Sequence, residues 1–424
     1  MVHKQIRVVL VLSCLFSATM SLQAQVKPIT LADYLNLALQ RNPLVGSAEQ
    51  AKSSAVYASE SVRKGYYPQI GIASHFIGAP GYDQAVTNGG EFGAQVVGSY
   101  TLYDGGARSY EVQKGGVGVE QGTLNISRTR ADVVYSVSTA YADAVKEKRE
   151  LAVVEQGYSQ LKDYLQLVKQ LHASGQGSVT DVLKTTVDLN NAMVDINARR
   201  VAYANSLLML GQAAGLPSSD VTDVDSSVVS AVYDTSFSPA HNIEIASQEL
   251  LLKQADLEAQ IAGTKLLPNV SIGADAGALT SLPNFQQGLT NVFGASLGLS
   301  VSLPIFTFGS LDDNYSAAKA SARSVSLQND YARTSLDHEF HATRNNIERA
   351  VAEISALQDN LVVAEQNLSL SKARYAGGSG LSLEVLDAIQ MVNQIELAIE
   401  EARTEMVTNI FKLNRLNYSG VTQE

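Results

Sequence analysis

Gly65-Tyr-Tyr-Pro68-Gln-Ile70-Gly-Ile72 has an echo two hundred residues further on, Lys265-Leu-Leu-Pro268-Asn-Val270-Ser-Ile272. A second echo pairs Ala173-Ser-Gly175-Gln-Gly177-Ser-Val-Thr-Asp181-Val182-Leu183 with Ala376-Gly-Gly378-Ser-Gly380-Leu-Ser-Leu-Glu384-Val385-Leu386, at a single offset of 203. Both echoes share one order: a Pro-led alternating strand, a second strand, a very long helix, a Gly-rich bend and a return helix. The period is too long for a solenoid repeat, so it marks a duplicated half-domain. The chain is two copies of one unit, a strand hairpin carried on a helical hairpin.

At Pro68 the hydrophobic period changes from helical to two. Ile70, Ile72, Ser74 and Phe76 alternate with Gly71, Ala73 and His75. After a Gly-rich polar loop, Ala94, Val96, Gly98, Tyr100 and Leu102 alternate with Gln95, Val97, Ser99 and Thr101. In the second half Val270, Ile272, Ala274 and Ala276 alternate with Ser271, Gly273, Asp275 and Gly277. The clearest run sets Phe293, Ala295, Leu297, Leu299, Val301 and Leu303 against Gly294, Ser296, Gly298, Ser300 and Ser302. Each run spans about 9–12 residues, the length of a tilted membrane strand with lipid on one face and water on the other. Strands of a soluble sandwich alternate too, but two separate hairpins leave none to form a second layer. Four strands cannot close a barrel, and an open edge is not tolerated in lipid. The strands therefore imply an oligomer that shares one barrel.

The remaining segments read as helix. Leu31, Leu35, Ala38 and Leu39 follow helical spacing behind a Thr30-Leu-Ala-Asp33 cap, Asn42-Pro43 breaks the run, and Ala48 to Lys64 resumes it. Ala107 to Leu171 contains no proline, and Val137, Tyr141, Ala144, Leu151, Val154, Tyr158, Leu161, Leu165 and Val168 follow steps of three, four or seven. Asp312 to Tyr375 repeats the pattern through Ile347, Val351, Ile354, Leu361 and Leu368. Helices of roughly 100 Å with one narrow seam need neighbours. Gly115, Gly116 and Gly118 are costly in a helix and point to close packing near the strand base. The expected division is a signal peptide at 1–24, repeat 1 at 25–214, a polar connector at 215–240 wrapped outside the helices, repeat 2 at 241–418 and a tail at 419–424. Strands are expected near 68–78, 92–103, 268–279 and 292–306. Long helices are expected near 107–172, 179–214, 310–376 and 382–416.

Lys4 and Arg7, the apolar run Val8 to Met20 and the small residues up to Ala24 have the order of a secretory signal. Val11-Leu12-Ser13 is a poor approach for lipidation of Cys14. Cys14 is the sole cysteine, so the mature chain forms no disulfide or thiolate metal site. Without the signal, 29 basic residues face 42 acidic ones, which argues against nucleic-acid binding. Beyond the signal there is no apolar run near the ~18 residues of a membrane helix, so contact with a membrane must be made by strands. No residues support an enzyme. His338-Glu-Phe-His341 is not the His-Glu-x-x-His of a zinc protease and reads as a solvated helix face. No Gly-x-Ser-x-Gly elbow or phosphate loop stands out, and no catalytic, metal or cofactor site is expected.

Ile29-Thr-Leu-Ala-Asp33, Ala38-Leu39, Asn42-Pro43, the two Pro-led strand starts and Tyr375-Ala-Gly-Gly-Ser-Gly380-Leu-Ser-Leu-Glu384-Val-Leu-Asp387-Ala388 together resemble the TolC-like outer-membrane factors. The resemblance covers essentially the whole mature chain. It implies an α+β membrane protein and a homotrimer. Its strands would form one twelve-stranded outer-membrane barrel above a helical periplasmic tunnel that narrows at the bends. It implies an exit duct for an efflux pump or type I secretion system, working with a periplasmic adaptor (membrane fusion) protein and an inner-membrane pump of RND, ABC or MFS type. The competing reading is a secreted coiled-coil adhesive or structural surface protein, which accounts for the helices but not for the strands. In the family a Tyr and an Arg latch the tip, and two Asp ring the aperture. Tyr375 matches the Tyr, Glu384 and Asp387 match the acids, with Asp181 as their counterpart in the first repeat, and Gly380 stands where the Arg is expected. The bends, at Gly175, Gly177, Gly380, Leu381 and Ser382, are the expected adaptor contact.

Overall fold

A computed structural model describes residues 29–87, 89–221, 223–225, 242–281, 284 and 292–417. The expected signal segment with Cys14, the later part of the expected connector from 226 and the expected tail at 419–424 lie outside the described residues.

Helix α1 (Leu31–Arg41) opens on a reciprocal cap, in which Thr30 Oγ1 accepts from the Asp33 N–H and the Asp33 carboxylate accepts from the Thr30 N–H. Asn42 is extended, as the residue before a proline must be, and its side chain accepts from Leu44 N at 2.9 Å to start α2 (Pro43–Lys64). Strands β1 (Gln69–Gly78) and β2 (Gly90–Tyr103) follow, with the short helix α3 (Gln84–Thr87) in their loop. Helix α4 (Ala107–Ala173) leads down and α5 (Val179–Ala214) returns. The second repeat has α6 (Ile243–Thr264), β3 (Asn269–Ser281), β4 (Phe293–Ser302), α7 (Ser310–Ala376) and α8 (Ser382–Leu416). A left-handed pair launches each long helix: Gly105-Gly106 at φ 69° and 91°, and Phe308-Gly309 at φ 52° and 83°. Both long helices contain 67 residues, a rise of about 100 Å.

The two hairpins are not separate. They join in one antiparallel sheet of order β1-β2-β3-β4, with β2 paired to β3 from Glu91↔Ser281 to Tyr103↔Val270 across a bulge at Leu102. The register lines up the pleat across both repeats. Ile70, Gly98, Ala274 and Leu297 form one row, Ile72, Val96, Ala276 and Ala295 the next row on that face, and Gly71, Val97, Asp275 and Ser296 the intervening row on the other face. Polar contacts collect on that second face: Asp275 accepts from Gln95 Nε2 at 2.8 Å and from the Ser296 hydroxyl, and His75 stands 3.2 Å from Glu91. The first face leaves Ile70, Ile72, Phe76, Phe293, Leu297, Leu299 and Val301 exposed. The outer edges of β1 and β4 have no partner among the described residues. Strand β4 stops at Ser302 rather than near 306, because Pro304 has no N–H to give the ladder.

Below the sheet, α2 and α6 pack beside α4, α4 packs on α5 and α8, and α7 packs on α6 and α8. A Cβ on Gly115 would lie 2.9 Å from Ser59 Oγ of α2, so that glycine permits close approach, whereas Gly116 and Gly118 face open space within one chain. Among the described residues no helix is long and apolar enough to cross a membrane. At mid-height Tyr34, Val137, Leu210 and Val224 are fully buried where α1, α4 and α5 meet. There the connector runs back across the helices as a strap. Val224 bridges Ile29 in parallel, and the Tyr141 hydroxyl lies 3.2 Å from the Ile29 carbonyl and 3.1 Å from that of Asp225. Burial raises the Tyr141 pKa to about 12, which keeps it a donor. Burial would raise the Asp223 carboxyl too, but hydrogen bonds from Lys148 Nζ, at 2.8 Å, and from the Tyr203 hydroxyl outweigh it and hold that carboxyl below its ordinary range.

The pleat assigns Leu299 and Ser300 to opposite faces. An Arg at a lipid-facing mid-bilayer site costs about 2–4 kcal/mol. Leu299→Arg should therefore deplete heat-modifiable oligomer in outer-membrane fractions far more than Ser300→Arg. Equal depletion, or the reverse order, would mean that the sheet does not face lipid as assigned.

Candidate functional site: the hairpin tips

The four long helices meet at their ends distant from the sheet, and two bends of one design close them. After α4, Gly175 adopts φ 76°, and Gln176 and Gly177 return their N–H groups to the Leu171 carbonyl. After α7, Gly378 adopts φ 74°, and Ser379 and Gly380 return theirs to the Arg374 carbonyl. Each bend therefore satisfies carbonyls left free by the helix end, with glycine supplying the left-handed residue. The second glycine has a different duty. A Cβ on Gly177 would lie 3.0 Å from His172 N, and one on Gly380 would lie 2.9 Å from Tyr375 N. Gly380 is thus the counterpart of Gly177, pressed on the helix end, and its position does not accept the long basic side chain that the resemblance leads one to expect. A base is nevertheless present nearby. Arg374 Nη1 lies 3.8 Å from Glu384 Oε2, with both side chains largely solvated.

Above the bends a small core ties all four helices together. Tyr164 of α4 and Tyr375 of α7 lie with ring centroids 5.6 Å apart, packed among Val168, Leu368, Val385 and Ile389. The Tyr375 hydroxyl donates to Asp181 Oδ2 at 3.1 Å, joining α7 to α5, and the Tyr164 hydroxyl donates to Ser382 Oγ at 2.9 Å, joining α4 to α8. Burial foremost, then the bond to Asp181, raises the Tyr375 pKa, and burial raises that of Tyr164. Both therefore remain donors at neutral pH.

The structure thus brings Tyr375, Asp181 and Glu384 to one tip. Glu384 and Asp387 lie three apart on the first turns of α8, with Asp387 exposed and Glu384 partly so. Leu381 is 66% exposed and Gly175 is open to solvent. Ser382, expected on the exposed contact surface, is buried and engaged by Tyr164. Tyr164 itself escapes the sequence reading, although its steps of three from Leu161 and four to Val168 place it on the same seam.

Higher on the hairpins, seams lie uncovered. On α5, Val187, Val194, Val201 and Leu208 recur every seven residues and each is more than half exposed. On α7, Val363 and Leu370 do the same.

The chain matches the family described as outer membrane efflux protein twice, over residues 34–216 and 238–416. Outer membrane protein TolC of Vibrio cholerae is 21% identical over 399 residues, covering 91% of this chain and 90% of that protein. Outer membrane efflux protein BepC of Brucella suis is 22% identical over 367 residues, covering 84% and 78%. The crystal structure of the outer membrane protein VceC from Vibrio cholerae superposes with a TM-score of 0.79 at 16% identity, covering 91% of this chain and 96% of that one.

If Gly177 and Gly380 are held by contact with the helix ends, Gly380→Ala should accelerate amide exchange across residues 374–386, and Gly177→Ala across the first bend. About tenfold corresponds to roughly 1.4 kcal/mol of lost local stability. Unchanged exchange in both variants would show that the bends take up a methyl group without strain.

Proposed function

The chain belongs to the outer membrane efflux protein family, and from that premise we propose that three copies assemble into one exit duct, a passive conduit through the outer membrane. The observation that carries this reading is a four-stranded sheet, apolar on one face, with both edges open among the described residues. Open edges cannot persist in hydrocarbon. The edge of β1 in one copy would pair with β4 of the next, and three copies would make twelve strands. The heptad stripes on α5 and α7 would be covered by the same neighbours, because coiled-coil seams are stable only when paired. This combination favours a duct over an adhesive coiled coil, which has no use for the sheet. An inner-membrane pump would supply the energy, coupled by a periplasmic adaptor at the tips, and the duct itself performs no catalysis.

At the tips, threefold symmetry would multiply Glu384 and Asp387 into a ring of six carboxylates around a narrow bore. Such rings favour cations and repel anions. The Tyr375–Asp181 bond would hold the two hairpins of each copy together in the closed state, and Arg374, beside Glu384, would supply the basic charge that Gly380 cannot. Leu381, exposed between the small residues Gly380 and Ser382, would offer the adaptor an apolar foothold.

Single-channel conductance of the reconstituted trimer tests the ring. Trivalent cation added from the periplasmic side should block current, and Glu384→Ala/Asp387→Ala should weaken that block by at least about tenfold and reduce cation preference. Undiminished block in the double variant would move the selective ring elsewhere, with Asp181 next in line.

Docking has its own test. Leu381→Glu should abolish export of a pump substrate while leaving the trimer intact on semi-native gels. Normal export, or loss of the trimer, would remove Leu381 from the contact.

A further inference from the structure

At the foot of the sheet the first repeat carries a cleft of about 710 Å³, lined by Arg63, Tyr66, Tyr67, Tyr100, Ser109 and Gln113 among others. The register places its floor. Tyr100 pairs with Ile272, which pairs with Leu299, so Tyr100 stands on the apolar face of the sheet. One wall is the end of α2 and the residues leading into β1, and the other is the first turns of α4. The cleft therefore opens just where the apolar face ends and the helices begin. Exposed Tyr67 and Tyr103, and Phe306 and Phe308 in the second repeat, stand close to the strand ends in sequence, the composition of an aromatic girdle at a membrane boundary.

The chemistry of the lining is that of an anion seat. It presents the Arg63 guanidinium, the Ser109 hydroxyl, the Gln113 amide and tyrosine phenols, and no carboxylate is among the lining residues. Among the described residues Arg63 pairs with Glu60 alone, at 2.7 Å and largely in solvent, a contact of small net value that a stronger acceptor can replace. The start of α4 is already occupied, because the Asp104 carboxylate accepts from Gly106 N, Arg108 N and Arg108 Nε. A ligand anion would thus be held by side chains rather than by the helix end. Arg108 gives the cleft its shape. Its guanidinium lies 4.8 Å from the Tyr66 ring centroid and 5.8 Å from that of Tyr100, tethered to Asp104 and to the Thr101 carbonyl, so both rings are braced from behind.

The second repeat does not duplicate the cleft. At the equivalent positions Arg63, Tyr66 and Tyr67 become Gly263, Leu266 and Leu267, and a Cβ on Gly263 would lie 3.2 Å from Tyr315. Among the described residues the cleft therefore belongs to the first repeat.

We propose that this cleft seats the phosphate headgroup of a glycerophospholipid from the periplasmic leaflet, with Arg63 as its charge partner and the acyl chains running up the apolar face past Ile70 and Ile72. The choice of a lipid over a free anion follows from continuity, since the cleft is the lower end of the surface that meets hydrocarbon. The inference rests on the outer-membrane duct reading above.

The test uses the full-length trimer in mild detergent, with bound phospholipid counted by native mass spectrometry before and after titration with phosphatidylglycerol. Wild type should retain phospholipid at about one per copy. Arg63→Glu should bind about tenfold more weakly, Arg63→Gln should fall between, and Arg200→Glu, a charge-matched change on α5, should match wild type. Inorganic phosphate and diacylglycerol at the same concentration should not displace the lipid. Equal retention in wild type and both Arg63 variants, or displacement by inorganic phosphate alone, would overturn the proposal. Trimer mass and conductance of the wild type are read in the same preparation. Their failure would count against the duct reading, and lipid retention indifferent to Arg63 in a conducting trimer against the lipid site alone.

Discussion

Backbone hydrogen bonding in hydrocarbon is the constraint on which the rest of this molecule depends. A lipid-facing strand with an unpaired edge leaves N–H and C=O groups with nowhere to turn, at several kcal/mol each. Among the described residues the four-stranded sheet has two such edges, so a single copy cannot be the membrane-embedded state. Closing the ring with further copies satisfies the edges. It would also set the helices of neighbouring copies side by side, which is what the uncovered stripes on α5 and α7 require. One geometric demand at the sheet thus accounts for exposed apolar surface about 55–90 Å further down the helices.

Duplication explains how one chain provides a wide sheet and a deep hairpin bundle together, and where the copies have diverged is as informative as where they agree. The bends agree closely. Gly175 and Gly378 take the left-handed turn, and Gly177 and Gly380 press on the helix ends. Divergence appears where one copy of a feature suffices. At the long-helix starts, Gly105 in the first repeat becomes Phe308 in the second, a left-handed non-glycine residue whose side chain is 89% exposed. Such a backbone costs of order 1–3 kcal/mol, and it presents an exposed aromatic ring next to the end of β4.

Much of this architecture was legible in the sequence because the relevant signals are periodic. A period of two gave the strands and their faces, and the register confirms which residues share a face: Leu297 lies in line with Ile70, and Ser296 with Gly71. Proline-free heptads marked the long helices, and Thr30 with Asp33 marked the first cap. Contacts between distant segments carry no period, so they stayed hidden. The β2–β3 pairing that fuses the repeats, the Val224 strap against Ile29 and the Tyr164–Ser382 bond all join residues far apart in sequence. Gly380 shows the limit of matching positions by motif. Aligned with a family pattern it looks like a missing Arg, while the packing of the bend shows a glycine required by the adjacent helix end.

The tip and the sheet differ in how firmly they are held, and that difference suits a duct that must open without coming apart. In the sheet every strand is tied to a neighbour by a long backbone ladder, which in lipid has no water to replace it. At the tip, the bond between the Tyr375 hydroxyl and Asp181 joins the two hairpins beside an exposed rim. A hydrogen bond to a carboxylate contributes about 1.5–3 kcal/mol, but Asp181 is only partly buried, so water can take over that partner when the bond parts. The Tyr164–Ser382 bond lies buried behind it, where no water waits, and breaking it would leave two polar groups stranded. Outward movement of one hairpin at its rim therefore costs least if it parts Tyr375 from Asp181 and leaves Tyr164 on Ser382. The pair α4 and α8 would stay together as a unit while α5 and α7 separate, and the membrane part would not need to move at all.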